Sequence, residues 1–164
     1  MIQQETLPPL SMQPEGNSCL ENLDISYDAD NEVLVVNWEG EINSECIRNG
    51  YTLLMKRVQL LRPRKILLDF HNRLSIRRRD QRWVFSYVFP NILSTVGDNV
   101  FLAIVLPVEL YHGLVTDING DELMNGNDFL IIHHALYRAE AIRWLNDMEA
   151  IAARASYAGV SKGA

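Results

Sequence analysis

Between residues 65 and 85 the chain reads KILLDFHNRLSIRRRDQRWVF: an apolar run, a segment with one imidazole, one serine and five arginines, then aromatics. Three chemistries are open to that set. Arginine forks bind phosphate or carboxylate bidentately. A serine hydroxyl can take a phosphoryl group. An imidazole near a carboxylate can move protons. Arg73, Arg77, Arg78, Arg79 and Arg82 straddle the expected end of a strand and the start of a helix, where backbone N–H groups favour anions. The competing reading pairs Arg77, Arg78 and Arg79 with acidic neighbours such as Asp80, because cations at a helix N-terminus are themselves unfavourable. Ser75 is expected to cap the helix that follows.

A second group of reactive types comes from strand ends. In open sheets, ligands favour the crevice beyond the carboxyl ends of parallel strands. That rule gathers Trp38, Glu39 and Glu41 after one strand, His71, Asn72 and Arg73 after the next, Pro107 after a third, and His133 and His134 at the last. Acid–base chemistry by His71 with Glu39 or Glu41 is one use of such a rim; plain surface placement is the other. A shared metal is disfavoured, since adjacent His133 and His134 point to opposite faces of a strand. In DINGDELMNGND, Asp117, Asn119, Asp121 and Asp128 fall at calcium-loop positions, but Glu122 replaces the glycine such a loop needs, so a turn-rich loop is expected. The chain has no nucleophile elbow, P-loop or dinucleotide fingerprint. Catalysis is therefore not the expected class, and no cofactor is implied.

The elements that must position these residues follow from periodicity. LDISYDADNEVLVVNWEG reads as a hairpin turning at DADN. Ile47, Tyr51, Leu54, Val58 and Leu61 form a helical stripe capped by Asn43 or Ser44 and stopped near Pro63. KILLDF, NVFLAIVLP and FLIIHH are buried strands. Between the first two, Val84, Val88 and Ile92 with Phe85, Phe89 and Leu93 give a wide apolar helix face, which Pro90 should kink or divide. VELYHGLV is a short helix, and a final helix starts near Tyr137 with Ala141, Ile142, Leu145 and Met148 facing inward. The order β-β-α-β-α-β-α-β-α predicts an α/β fold with a single mixed, mostly parallel sheet and helices packed on it.

At 164 residues, 48% apolar and 22% charged, the chain suits one globular domain, expected over 20–157 between an N-terminal tail (1–19) and a C-terminal tail (158–164). The net charge of −6 opposes nucleic acid and anionic membranes. No apolar run nears the roughly 18 residues of a membrane span, and the N-terminus lacks signal-peptide character, so a cytoplasmic location is expected. Cys19 and Cys46 make neither a disulfide framework nor a zinc pattern; Cys46, opening a helix, is read as a small packing residue or, less readily, a reactive thiol.

VLVVNWEGEINSECIRNGY, KILLDFHN and the closing AEAIRWLND resemble the SpoIIAA-like superfamily, the STAS (anti-sigma factor antagonist-like) domains, over about residues 22 to 149. The resemblance implies a SpoIIAA-like fold and a non-catalytic regulatory module that binds a protein partner. In that family the turn after the third strand carries an Asp-Ser-Ser-Gly-like motif phosphorylated by a partner kinase. Here the matching stretch is HNRLSIRRRD, with Ser75 its only hydroxyl and no Asp-Ser or following glycine. The expected partner surface is Arg73, Arg77, Arg78, Trp83 and Tyr87, arginine and tryptophan being frequent interface anchors. CRAL-TRIO domains are similar in β/α topology, which keeps a small-molecule or lipid carrier as the alternative; Phe85, Phe89, Phe101 and Tyr111 suit an apolar cavity or a dry core equally. An enzyme at the histidine rim is the third reading. A homodimer through the exposed outer strand is also allowed.

Overall fold

The computed structural model describes residues 20–117 and 122–162. One six-stranded sheet organises them. Its strands are β1 (Leu23–Asp28), β2 (Val33–Trp38), β3 (Lys65–Asp69), β4 (Val100–Val105), β5 (Glu122–Asn125) and β6 (Asp128–Ala135), in the spatial order β1-β2-β3-β4-β6-β5. The two outer pairs are antiparallel; β2, β3, β4 and β6 run parallel. The fold is α/β with a mixed sheet. The one strand the sequence pattern missed is β5, which makes part of the expected 117–128 loop a hairpin arm; the calcium-loop positions Asn119 and Asp121 lie outside the described residues.

Period-two alternation divides the core between the faces. Leu34, Val36, Ile66, Leu68, Leu102 and Ile104 face one layer; Val33, Val35, Leu67, Phe101, Ala103 and Val105 face the other. The first layer holds α1 (Ser44–Leu61) and a long helical run of α2 (Arg78–Trp83), a π-turn (Val84–Val88) and α3 (Phe89–Val96). It also receives Tyr111 of α4 (Val108–Asp117). The second layer is α5 (Arg138–Lys162), which docks Ala141 and Leu145 and continues past the boundary expected at 157.

Local chemistry explains the element ends. The Asn43 side chain caps α1 by accepting the Cys46 N–H at 2.9 Å, and Arg62 closes it in the left-handed region. The Asp28 carboxylate accepts the N–H groups of Asp30 and Asn31 and the Asn31 amide, fixing the β1–β2 turn. Those bonds, the side-chain one foremost, hold its carboxyl below the usual range. Ser75 does not cap α2: the N-cap is Arg77, with no side-chain bond. Pro90 lies in the first turn of α3, and α2, the π-turn and α3 follow one another without a gap. A proline ring collides with the carbonyl four residues back, and the preceding turn widens, with the Phe89 N–H reaching the Val84 carbonyl. Cys46 is disulfide-bonded, which corrects its reading as a thiol; the chain's other cysteine, Cys19, lies outside the described residues.

Candidate functional site

The loops after β2 and β3 are stitched together. Gly40, at φ 81°, donates its N–H to the Asn72 carbonyl at 3.0 Å and accepts the Leu74 N–H at 3.2 Å. The Asn72 amide donates to Glu39 at 3.1 Å. These contacts bring Glu39, Asn72 and Arg73 to one edge, as the strand-end rule expects. The rest of that rim disperses. His71 is exposed and its ring meets the buried Asp69 carboxylate at 2.5 Å, not Glu39 or Glu41. Arg138 approaches the other Asp69 oxygen at 3.5 Å. Asp69 thereby orients the imidazole, and among the described residues no nucleophile is bonded to it. His133 stacks on Trp144 and pairs with Glu140 at 3.6 Å on the α5 face. His134, one residue on, is buried and points to the opposite layer. Among the described residues, no three His, Cys, Asp or Glu side chains cluster as a metal would require.

Trp38 is not a rim residue. It is 1% exposed and lies against α1, with edge contacts to Tyr51 and Phe70. Arg73 is also turned inward: 5% exposed, its guanidinium packs over the Trp38 and Phe70 rings and donates to the Ser75 carbonyl at 3.1 Å. The partner surface expected to include it therefore loses that arginine. The reason is topological: the Gly40–Arg73 bridge closes the strand-end loop over the first helical layer.

What the sequence pattern did not show is a pocket behind that loop. Arg73, Asp80 and Tyr51 line it among apolar walls that include Leu68, Phe70, Val84, Phe89 and Leu106. Its internal volume is about 40 Å³. Burial pushes the Tyr51 phenol well above its ordinary value and pulls the Arg73 guanidinium down, the latter opposed by the Tyr51 and Asp80 charges. Tyr51 is also the wall of a second, open groove of about 340 Å³ between α1 and the α2–π–α3 run, bordered by Met55, Trp83, Tyr87 and Asn91. Trp83 and the 59%-exposed Tyr87 stack with centroids 5.7 Å apart, and the Arg48 guanidinium lies 4.8 Å from the Trp83 ring. Arg77, Arg78, Arg79 and Arg82, at the start of α2 and within it, are exposed. Among the described residues no ion pair joins Arg77, Arg79 or Arg82 to a carboxylate, so the expected pairing with acidic neighbours does not form there. Asp80, its nearest candidate, is buried.

No family model, no curated protein and no solved structure matches this chain. Among the described residues no helix is long and apolar enough to cross a membrane.

Proposed function

We propose that this chain is a non-catalytic, STAS-like regulatory domain that binds an acidic segment of a protein partner along the groove between α1 and the α2–α3 run. One observation carries the reading: a stacked Trp83–Tyr87 pair bordering a groove, with the Arg48 guanidinium over the Trp83 ring and further exposed arginines on α2, on a molecule of net charge −6. Aromatic and arginine side chains supply most hot-spot energy at interfaces. Arg48, Arg77, Arg79 and Arg82 give the local field a sign opposite to the molecule's own, which steers an acidic chain to this face. The carrier alternative needs an enclosed cavity of about 300 Å³ or more. The pocket holds about 40 Å³, and neither it nor the larger groove is enclosed, so no observation favours a lipid.

The test places a photo-crosslinking residue at Tyr87 and, as a control, at Met124 on the far sheet edge, in cells of the source organism. Crosslinks to an acidic protein at Tyr87 alone, weakened by added salt and lost in Arg77→Glu/Arg79→Glu, support the reading. Equal labelling at both positions overturns it. A crosslink to a second copy of the chain replaces the partner with a homodimer.

A further inference from the structure

We propose that the pocket behind the Gly40–Arg73 bridge is a ligand site for a small, uncharged molecule with a hydroxyl or carboxamide head on a short apolar stem. Arg73 and Asp80 both line the pocket, at 5% and 6% exposure. Each keeps one polar atom without a protein partner: the Arg73 Nε–H is a donor and the Asp80 Oδ2 an acceptor. Orphaned buried groups, charged ones above all, are costly for a fold to carry. Retaining two in one pocket marks a site shaped for an occupant.

The occupant's chemistry follows from charge and size. The guanidinium and carboxylate influence each other electrostatically, yet no direct ion pair joins them. Their charges sum to zero, so an anionic head would meet Asp80 and a cationic head would meet Arg73, each at a buried location where a net charge is expensive. A neutral group that accepts from Arg73 Nε–H and donates to Asp80 Oδ2 satisfies both. Hydroxyls and primary amides do this; ethers and thioethers cannot donate. Tyr51 also lines the pocket. A volume of about 40 Å³ accommodates only a few heavy atoms, and the walls beyond the polar groups are apolar. The stem is therefore short and points toward the half-buried part of the lining, Ile76 and Phe85 with Gln81 beside them. Two wall residues, Val84 and Phe85, belong to the π-turn, the helix form that recurs at functional sites.

The experiment titrates the full chain at pH 7 with three molecules of one shape, propionamide, propionate and propionamidinium, while NMR follows the Arg73 Nε–H, the methyl groups of Leu68, Val84 and Leu106, and the rings of Trp83 and Tyr87. Saturable shifts from propionamide, at least tenfold tighter than from either charged analogue, are the expected result. Asp80→Asn, nearly isosteric, leaves the pocket cationic and should reverse the ranking so that propionate binds best. The site is overturned by the absence of saturable shifts, by equal binding of all three probes, or by shifts confined to Trp83 and Tyr87 in the outer groove. The ranking in the unmodified protein decides the matter even where Asp80→Asn fails to fold. A bound water alone in a crystal soaked with propionamide also overturns it. None of these outcomes bears on crosslinking at Tyr87, so the two proposals fail separately.

Discussion

Gly50 sits on the inward stripe of α1, where a Cβ would lie 2.3 Å from the Trp38 ring. Alanine normally stabilises a helix interior by about 1 kcal/mol over glycine. Here the sign reverses: Gly50→Ala is expected to destabilise by about 1–3 kcal/mol through overpacking, read by urea unfolding. The penalty should shrink in a Trp38→Phe background, because the two sites touch. Tyr51, next to it, links stability to pH. Its phenol is raised by burial, so the contribution is whole below the unfolded tyrosine value of about 10 and is lost as pH rises beyond it. Between pH 9 and 11 the stability of Tyr51→Phe should therefore fall less steeply than that of the parent. At this scale the sequence was only half readable. The α1 stripe announced Ile47, Tyr51, Leu54, Val58 and Leu61 as core; the first four are buried, while Leu61, in the last turn before Arg62, is exposed. Trp38 and Arg73 were placed at a rim because each follows a strand, and strand position says nothing about which way a loop folds. A glycine inside a helical stripe was the available signal that something large packs there. For the inward turn of Arg73 there was none, since its cause is a bridge to residue 40.

The π-turn is a one-residue excess within an otherwise α-helical run, placed just before Pro90. Removing the exposed Ser86 together with Pro90→Ala should restore α geometry while leaving the buried flanks on their faces. The melting temperature should stay within about 3 °C, which corresponds to roughly 1 kcal/mol for a chain of this size. Trp83 and Tyr87, then separated by one residue fewer, should lose their stacking, and near-UV circular dichroism reports that directly. Proline was legible as a disturbance, but the response to it was not: kink, break and widened turn all relieve the same collision, and packing on both sides selects among them. The missed strand β5 has a different cause. Its ELMN segment is short, mostly exposed and without alternation, although Asn125-Gly126 ahead of a strand is a hairpin signal.

Across the whole molecule, strand order limits where a ligand can sit. Binding crevices in open sheets form where the order reverses, whereas β2, β3, β4 and β6 advance in a single direction. The chain order of elements was readable, and with it the α/β class; β2, β3, β4 and β6 do lie side by side, and the rim drawn from their ends came apart through loop closure and side-chain direction instead. The second sheet face depends on α5, whose Asn146 joins the buried Lys65 amine at 3.0 Å and Asn31 at 3.1 Å, while Glu149 pairs with Lys65 at 3.4 Å. Ending the chain after Tyr137 should expose Val35, Leu67, Phe101 and Val105 and yield aggregates by size-exclusion chromatography. Asn146→Ala should cost about 1–3 kcal/mol by stripping the buried Lys65 amine of a partner. The same dependence has a temporal side. Because α5 is made after β6, a nascent chain that has finished β6 still shows one apolar sheet face to its surroundings. At about 5–20 residues per second, synthesis of the 25 residues of α5 takes roughly 1–5 s. During that interval each new molecule is a substrate for holding chaperones, and slow codons within the last helix would lengthen its exposure.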